Sequence, residues 1–303
     1  MKILPKIALL TTLSASVVYA APTGKIIAET KTKVGVFSAA SGKRLSTFTK
    51  YQPPKVVKGA YEAISTDTEL RVRNTKTGAA RTIFSTKKPQ PMFDAINRAK
   101  FPKKLENLKG GIDPELWKGQ YSWQLSDGVF SPDYSRVFFA SNAGTGMGAA
   151  GNATWAFFAY DLKTNRLDVL SKVGEQFGRP PSPFLISKDG KHLLSSVSVH
   201  SSAIENPCYV LVVDLLTQQS RELVLSLPEA KGKANLLNNV IFSPDSKYVA
   251  ASVYFYATAP LINSDKFEDF EPKDGDFTTY IFETQTGKLV RKIANSTVVN
   301  WTR

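Results

Sequence analysis

An all-β repeat fold of four-stranded units is what this sequence predicts, and three observations predict it. First, a short signature recurs at constant spacing. Val129, Phe130, Ser131, Pro132, Asp133 is echoed by Leu185, Ile186, Ser187, Lys188, Asp189, Gly190 and by Ile241, Phe242, Ser243, Pro244, Asp245, with the serines 56 residues apart at both steps. A fixed period of this size marks units that bury their apolar faces only against their neighbours. Second, each signature ends an apolar strand in a tight turn, because proline lacks the amide donor a ladder needs and Asp and Gly suit turns. Third, each turn is followed by a second strand, a variable loop and a hairpin. That is a four-stranded meander, one blade of a β-propeller.

Taken in chain order, residues 1–20 read as a secretory leader. Lys2 and Lys6 give a positive start, 7–18 is mostly small and apolar, and Val18, Tyr19, Ala20 has the form of a cleavage site. The apolar run is too short to span a bilayer, and no other segment approaches about 20 consecutive apolar residues. No cysteine follows it to carry a lipid anchor. A soluble periplasmic or secreted protein without a transmembrane segment is expected.

Residues 21–303 are expected to form a single propeller domain. Hairpins at 33–38 with 44–48 and at 69–73 with 80–84 open it. Residues 86–124 are unlike the rest: 91–100 predicts a short helix that Pro102 interrupts, within a basic insertion, a worn sixth blade being the alternative. The three repeats then supply second strands at 136–141, 192–199 and 247–256. Their hairpins are 155–161 with 166–170, 209–214 with 221–225, and 278–283 with 288–293. Five outer hairpins predict five blades, with six as the alternative. Residues 296–301 read as an innermost strand with nothing after it, whereas 25–48 offers outer strands and no inner one. The segment 297–301 is therefore expected to complete the first blade, closing the ring by its two terminal strands and removing exposed edges.

The net charge of +13, or +11 without Lys2 and Lys6, favours anionic partners such as an envelope glycan, a lipid surface or an acidic protein face. Nucleic acid is the weaker choice, since no basic helix or aromatic ladder reads as a reader of bases and the leader points out of the cytoplasm. The one cysteine, Cys208, allows no intrachain disulfide and begins an apolar strand, as an inert buried thiol does.

The repeat unit resembles the WD-like propellers of the TolB type, in which a strand, Ser-Pro-Asp-Gly, a second strand, a loop, a third strand and Asp-x-x-Thr-Gly follow one another. The matching segments are 131–134, 187–190 and 243–246, with hairpin turns at 161–165, 214–218 and 283–287. Tyr134 and Ser246 replace the usual glycine and Lys188 the usual proline. The likeness is good over 125–294 and loose over 25–85. It implies a structural repeat and a platform for protein contacts, without the separate amino-terminal domain of TolB itself.

Function is expected on loops that exceed their connecting task. Three of these, 142–154, 201–207 and 257–277, join second to third strands in consecutive blades and so share one rim. Candidate binding residues there are Asn142, Met147 and Asn152 in the first, His200 and Glu205 in the second, and Asp265, Glu268, Asp269, Glu271, Asp274 and Asp276 in the third. Gly146 to Gly151 matches a dinucleotide fingerprint literally, but a strand follows it where that motif needs a helix N-terminus. The acidic third loop suits protein docking, with Ca²⁺ as the lesser alternative. His200 and Glu205 lack an assignable nucleophile, and no Gly-x-Ser-x-Gly or His-Glu-x-x-His occurs. A second candidate surface is the basic run Lys87, Lys88, Arg98, Lys100, Lys103, Lys104 and Lys109. The expected function is a non-enzymatic envelope platform with no cofactor, binding another envelope protein or an anionic glycan or lipid surface. The alternative is a hydrolase or lyase acting on an anionic envelope polymer or small molecule.

Overall fold

The computed structural model describes residues 21–52, 59–66, 68–88, 90–98, 125–142, 152–177, 184–198, 208–217, 219–224, 226–231, 233–257 and 276–303. Within them the chain forms five antiparallel sheets, four of four strands and one of three. Sheet 1 holds β1 (Lys25–Glu29), β2 (Val34–Ser38), β3 (Arg44–Phe48) and, inside β1, the last strand of the chain, β19 (Thr297–Thr302). Sheet 2 is β4 (Tyr61–Ser65), β5 (Glu69–Asn74) and β6 (Ala80–Ser85). Sheet 3 is β7 (Val129–Phe130), β8 (Arg136–Asn142), β9 (Asn152–Asp161) and β10 (Arg166–Phe177). Sheet 4 is β11 (Phe184–Ile186), β12 (His192–Ser198), β13 (Cys208–Asp214) and β14 (Ser220–Leu223). Sheet 5 is β15 (Lys233–Phe242), β16 (Tyr248–Ala257), β17 (Thr278–Glu283) and β18 (Leu289–Ile293). Among the described residues one α-helix, α1 (Gln90–Arg98), lies between sheets 2 and 3 in sequence, overlapping the segment 91–100 expected to be helical.

The repeated Ser-x-Asp is a clamp across each first turn. Ser131 Oγ donates to Asp133 Oδ1 at 2.6 Å and accepts from Arg136 N at 2.9 Å. Ser187 does the same with Asp189 and His192 N, and Ser243 with Asp245 and Tyr248 N. The next residue has positive φ: Tyr134 at 58°, Gly190 at 71° and Ser246 at 61°. This left-handed geometry suits the glycine found at the second of these turns, which has no Cβ to crowd the carbonyl.

A second recurrent feature is a backbone bond from the hairpin turn to the residue at the foot of the second strand. It runs from Leu162 N to Ser135 O, Leu215 N to Lys191 O and Thr284 N to Lys247 O at 2.8–2.9 Å. The same bond joins Thr75 N to Ala60 O at 3.0 Å and Ala39 N to Gly24 O at 3.1 Å. All five sheets are therefore copies of one unit. The bond also identifies β4, unforeseen in the sequence, as the equivalent of the second strand of the other sheets.

Adjacent sheets pack face to face. Leu70, Val72 and Phe84 of sheet 2 meet Val137, Phe139 and Phe158 of sheet 3, where Met92 and Ala95 of α1 also bury. Gly128 is needed there, because a Cβ would stand 2.9 Å from both Ala63 Cβ and Leu70 Cδ1. Phe138 and Phe157 face Leu193 and Leu211 of sheet 4, while Leu194 and Val212 face Val240, Val249 and Phe282 of sheet 5. Tyr248, Ala250 and Ile281 then meet Ile26, Phe37, Val298 and Trp301 of sheet 1.

As expected, 297–301 completes the first sheet: Lys25 pairs with Thr302 and Glu29 with Thr297. Trp301 is 6% exposed, stacks on Tyr248 at a centroid distance of 6.4 Å and donates from Nε1 to Thr23 O. A buried hydroxyl chain holds the other end. Val298 N donates to Ser252 Oγ at 2.7 Å, Ser252 Oγ lies 3.1 Å from Thr279 Oγ1, and Thr279 Oγ1 donates to Ser296 O at 2.9 Å. Ser296 Oγ donates to Ile293 O at 2.7 Å.

Two predictions follow from these contacts. Deleting 295–303 should lower the melting temperature sharply, Trp301→Ala should cost about 3–5 kcal/mol, and Thr279→Val about 1–3 kcal/mol by orphaning buried polar groups. Chemical denaturation measures all three, and an unchanged cooperative transition after the deletion would contradict a structural role of β19 in sheet 1. The second concerns acid. Ser131 Oγ, Ser135 N and Ser135 Oγ hold Asp133 down to about 2 from its ordinary 3.8. Thr164 N, then its Oγ1, lowers Asp161, and Thr217 N, with Leu216 N, lowers Asp214. A carboxyl held below its unfolded value stabilises the fold above that value, and the gain disappears as pH falls through the folded value. The melting temperature should therefore fall between about pH 4 and about pH 2, and less steeply in Asp133→Asn, whose amide oxygen keeps the turn but does not titrate.

Candidate functional site

Each sheet is a meander, so its first and third turns lie at one end and the connection from second to third strand at the other. Contacts between sheets show that these ends coincide. Lys188 N donates to Ser246 Oγ at 3.0 Å, joining the first turns of sheets 4 and 5, and Arg81 of sheet 2 donates to Asn165 Oδ1 and Leu162 O in a hairpin turn of sheet 3. Arg291 of sheet 5 donates to Ala40 O in the hairpin turn of sheet 1. One face of the molecule is thus built of turns. On the opposite rim lie Asn142 and Asn152, Ser198 and Cys208, and Ala257 and Asp276, the described residues that flank 143–151, 199–207 and 258–275 in sequence. On that rim Lys31 Nζ, from the connection between β1 and β2, pairs with Asp276 Oδ1 at 2.9 Å.

The predicted site residues divide accordingly. Asn142 ends β8 and Asn152 begins β9, so 152–154 is strand and not loop. Register shifts at Val169/Ser171 and Val173/Glu175 let β10 stay paired with this longer β9 out to Phe177. Strand β9 directly follows the glycine run, as the rejection of a dinucleotide site requires. Met147, His200, Glu205, Asp265, Glu268, Asp269, Glu271 and Asp274 lie outside the described residues, as do Lys100, Lys103, Lys104 and Lys109 and residues 1–20, expected to be a leader.

Of the basic run, Lys87 and Lys88 form the exposed turn after β6, with their amides donating to Ser85 Oγ and Ser85 O. Arg98 has a structural task. Its Nη2 donates to Leu167 O at 2.6 Å and lies 4.0 Å from Asp168 Oδ1, fastening α1 to β10.

The turn face holds a feature that the sequence reading did not single out, a cleft of about 490 Å³ between sheets 4 and 5. Asp189, Lys191 and His192 line it from the first turn of sheet 4, and Asp214 from its hairpin. Sheet 5 contributes Asp245, Ser246, Lys247 and Tyr248 from its first turn and Glu283, Thr284 and Gln285 from its hairpin. Burial alone would raise Asp189, yet the Ser187 hydroxyl, Lys191 N and the charges of His192 and Lys191 bring it below the ordinary range. Burial raises the Tyr248 phenol, and the negative charges of Glu283 and Asp245 add to it. The signal was present in the sequence as acidic residues at equivalent turns of neighbouring repeats, but each reads alone as a turn former.

Arg98→Ala should destabilise the protein by about 0.5–1.5 kcal/mol, a discounted charged hydrogen bond at a half-exposed site. Urea unfolding measures this; no loss of stability would return Arg98 to the solvated basic surface.

No protein-family model and no curated protein matches the sequence. Solved structures similar to it include a putative TolB from Agrobacterium tumefaciens, at 13% identity over 91% of this chain and 81% of that one, with a TM-score of 0.37. Hydrazine synthase from Kuenenia stuttgartiensis is similar at 16% identity over 91% of this chain and 67% of that one, with a TM-score of 0.41. The β-propeller domain of the Trilobed protease from Pyrococcus furiosus matches at 16% identity over 55% of this chain, with a TM-score of 0.34, and the match spans 41% of that chain. The chain resembles TolB-type and other β-propellers in fold, and the fold itself stands on the strand order and the recurring turn bonds.

Proposed function

We propose that this chain is a five-bladed propeller, its ring clasped by the pairing of β19 with β1, that serves as a non-enzymatic binding platform. In this reading the leader 1–20 exports it to the cell envelope, and the rim opposite the turn face receives a protein partner. The observation that carries the reading is the shared origin of the long connections. The strands flanking 143–151, 199–207 and 258–275 end on one rim in three consecutive sheets, and Lys31 and Asp276 bring a fourth connection to the same place. Rigid strands presenting clustered variable loops are the arrangement that protein scaffolds use for recognition. The serines of the repeat and one carboxylate oxygen of each repeat aspartate, by contrast, are engaged in their own turns.

Site-specific photocrosslinking in cells tests this. A photoreactive residue at Asn142, Asn152 or Asp276 should give one discrete adduct, and the same residue at Lys163 or Gln285 on the turn face should not. Adducts confined to the turn face, or none from any position, would overturn the rim as the docking surface.

A further inference from the structure

The cleft between sheets 4 and 5 has an electrostatic character opposite to that of the protein. Four carboxylates, those of Asp189, Asp214, Asp245 and Glu283, line it in a chain whose net charge is +13. Each spends one oxygen on its own turn. Asp189 Oδ1 accepts from Ser187 and Lys191 N, Asp214 Oδ1 from Leu216 N and Thr217 N, Asp245 Oδ1 from Ser243 and Lys247 N, and Glu283 Oε2 from Thr286. The second oxygen of each takes no hydrogen bond and no ion pair from the described residues. Lys191 and Lys247, although in the same wall, form no ion pair with them among the described residues.

An independent observation points to a ligand. Thr284 is 1% exposed and lines the cleft, yet its Oγ1 has no hydrogen-bond partner among the described residues. The Nδ1 of His192, across the cleft on sheet 4, is likewise out of solvent and unpartnered. Buried polar atoms without partners cost free energy unless something supplies the missing bond. The missing partner is not a single metal ion, because among the described residues no three acidic or histidine groups converge closely enough to hold one. Separated carboxylates call for a ligand with separated donors.

We infer that this cleft binds a small aliphatic polyamine, whose ammonium groups pair with the free oxygens of Asp189 and Asp214 on one side and Asp245 and Glu283 on the other. Thr284 Oγ1 and His192 Nδ1 then accept the remaining N–H donors. A ligand seated there bridges the first turns of two blades, alongside the bond from Lys188 N to Ser246 Oγ. It is independent of the partner rim, which lies at the other end of the same sheets.

Calorimetric titration of 1,4-diaminobutane into the protein at low salt tests the inference, with butylamine and magnesium chloride as comparisons. The expected result is saturable one-site binding of the diamine, weakened by salt and stronger than that of butylamine or magnesium. Asp189→Asn with Asp245→Asn keeps the turn acceptors, and should weaken binding at least about tenfold. Asp133→Asn, in the equivalent turn of sheet 3 outside the cleft, should leave it unchanged. No saturable binding by the folded protein, equal affinity for magnesium, or undiminished binding in the double variant would each overturn it. Should the double variant fail to fold by circular dichroism, Glu283→Gln carries the same two outcomes: weaker binding supports the site, and unchanged binding removes it.

Discussion

Sheets 1 and 5 are held together by one strand, β19, which is paired in sheet 1 and anchored to sheet 5 by side chains. It follows sheet 5 in the chain and hydrogen-bonds into sheet 1, and its position is set by the buried contact among Ser252, Thr279 and Ser296. Proton bookkeeping makes that contact directional. Thr279 has one hydroxyl proton and gives it to Ser296 O, so the proton between Ser252 and Thr279 must come from Ser252. Ser252 Oγ is then free to accept from Val298 N, which fixes the entry of β19. A slipped register would strand these buried groups without their partners. The apolar half of the same junction, Ile26, Tyr248, Ile281 and Trp301, supplies the burial that makes the exchange favourable.

The repeat signature works locally and leaves the two faces with different freedoms. On the turn face each repeat serine and one oxygen of each repeat aspartate serve hydrogen bonds of their own turn, so the tolerance for change at those positions is small. Where the sequence departs from the pattern, a compensation is visible. Tyr134 occupies the left-handed position at an intrinsic cost of roughly 1–2 kcal/mol. Its ring packs against Phe130 at 5.4 Å and Tyr61 at 6.1 Å, joining sheet 3 to sheet 2. Ser246, in the same conformation, offers Oγ to Lys188 N and so links two blades. Each substitution for glycine has become a contact between sheets.

Much of the fold was legible because its signals are local. Ser131, Ser187 and Ser243 announce their turns by residue type, Pro91 and the following residues announce a short helix, and the strand character of 297–301 is plain without its partner. Strand β4 was not legible, since Gly59 and Ala60 carry no Ser-x-Asp before it. The bond that places it runs between backbone atoms and puts no demand on side chains. Ala39, Thr75, Leu162, Leu215 and Thr284 make the same bond with four different residue types. The rim residues Asn142, Asn152 and Asp276 could be placed from strand counting alone. The cleft could not, because its character comes from four carboxylates far apart in sequence that only packing of sheets 4 and 5 brings to one wall.

The pairing of Lys25 with Thr302 has a kinetic consequence. Contacts between residues so distant along the chain carry a large closure entropy and slow the folding of topologies that depend on them. Sheet 1 cannot be finished by its own neighbourhood in sequence, and waits for the distant strand Thr297–Thr302. Until then Ile26 and Ala28 lie on an unpaired edge, a template for β-addition by another chain. The same pairing that completes sheet 1 therefore leaves any partly folded form adhesive until Thr297–Thr302 docks, which makes protection of that edge during folding a requirement of the architecture.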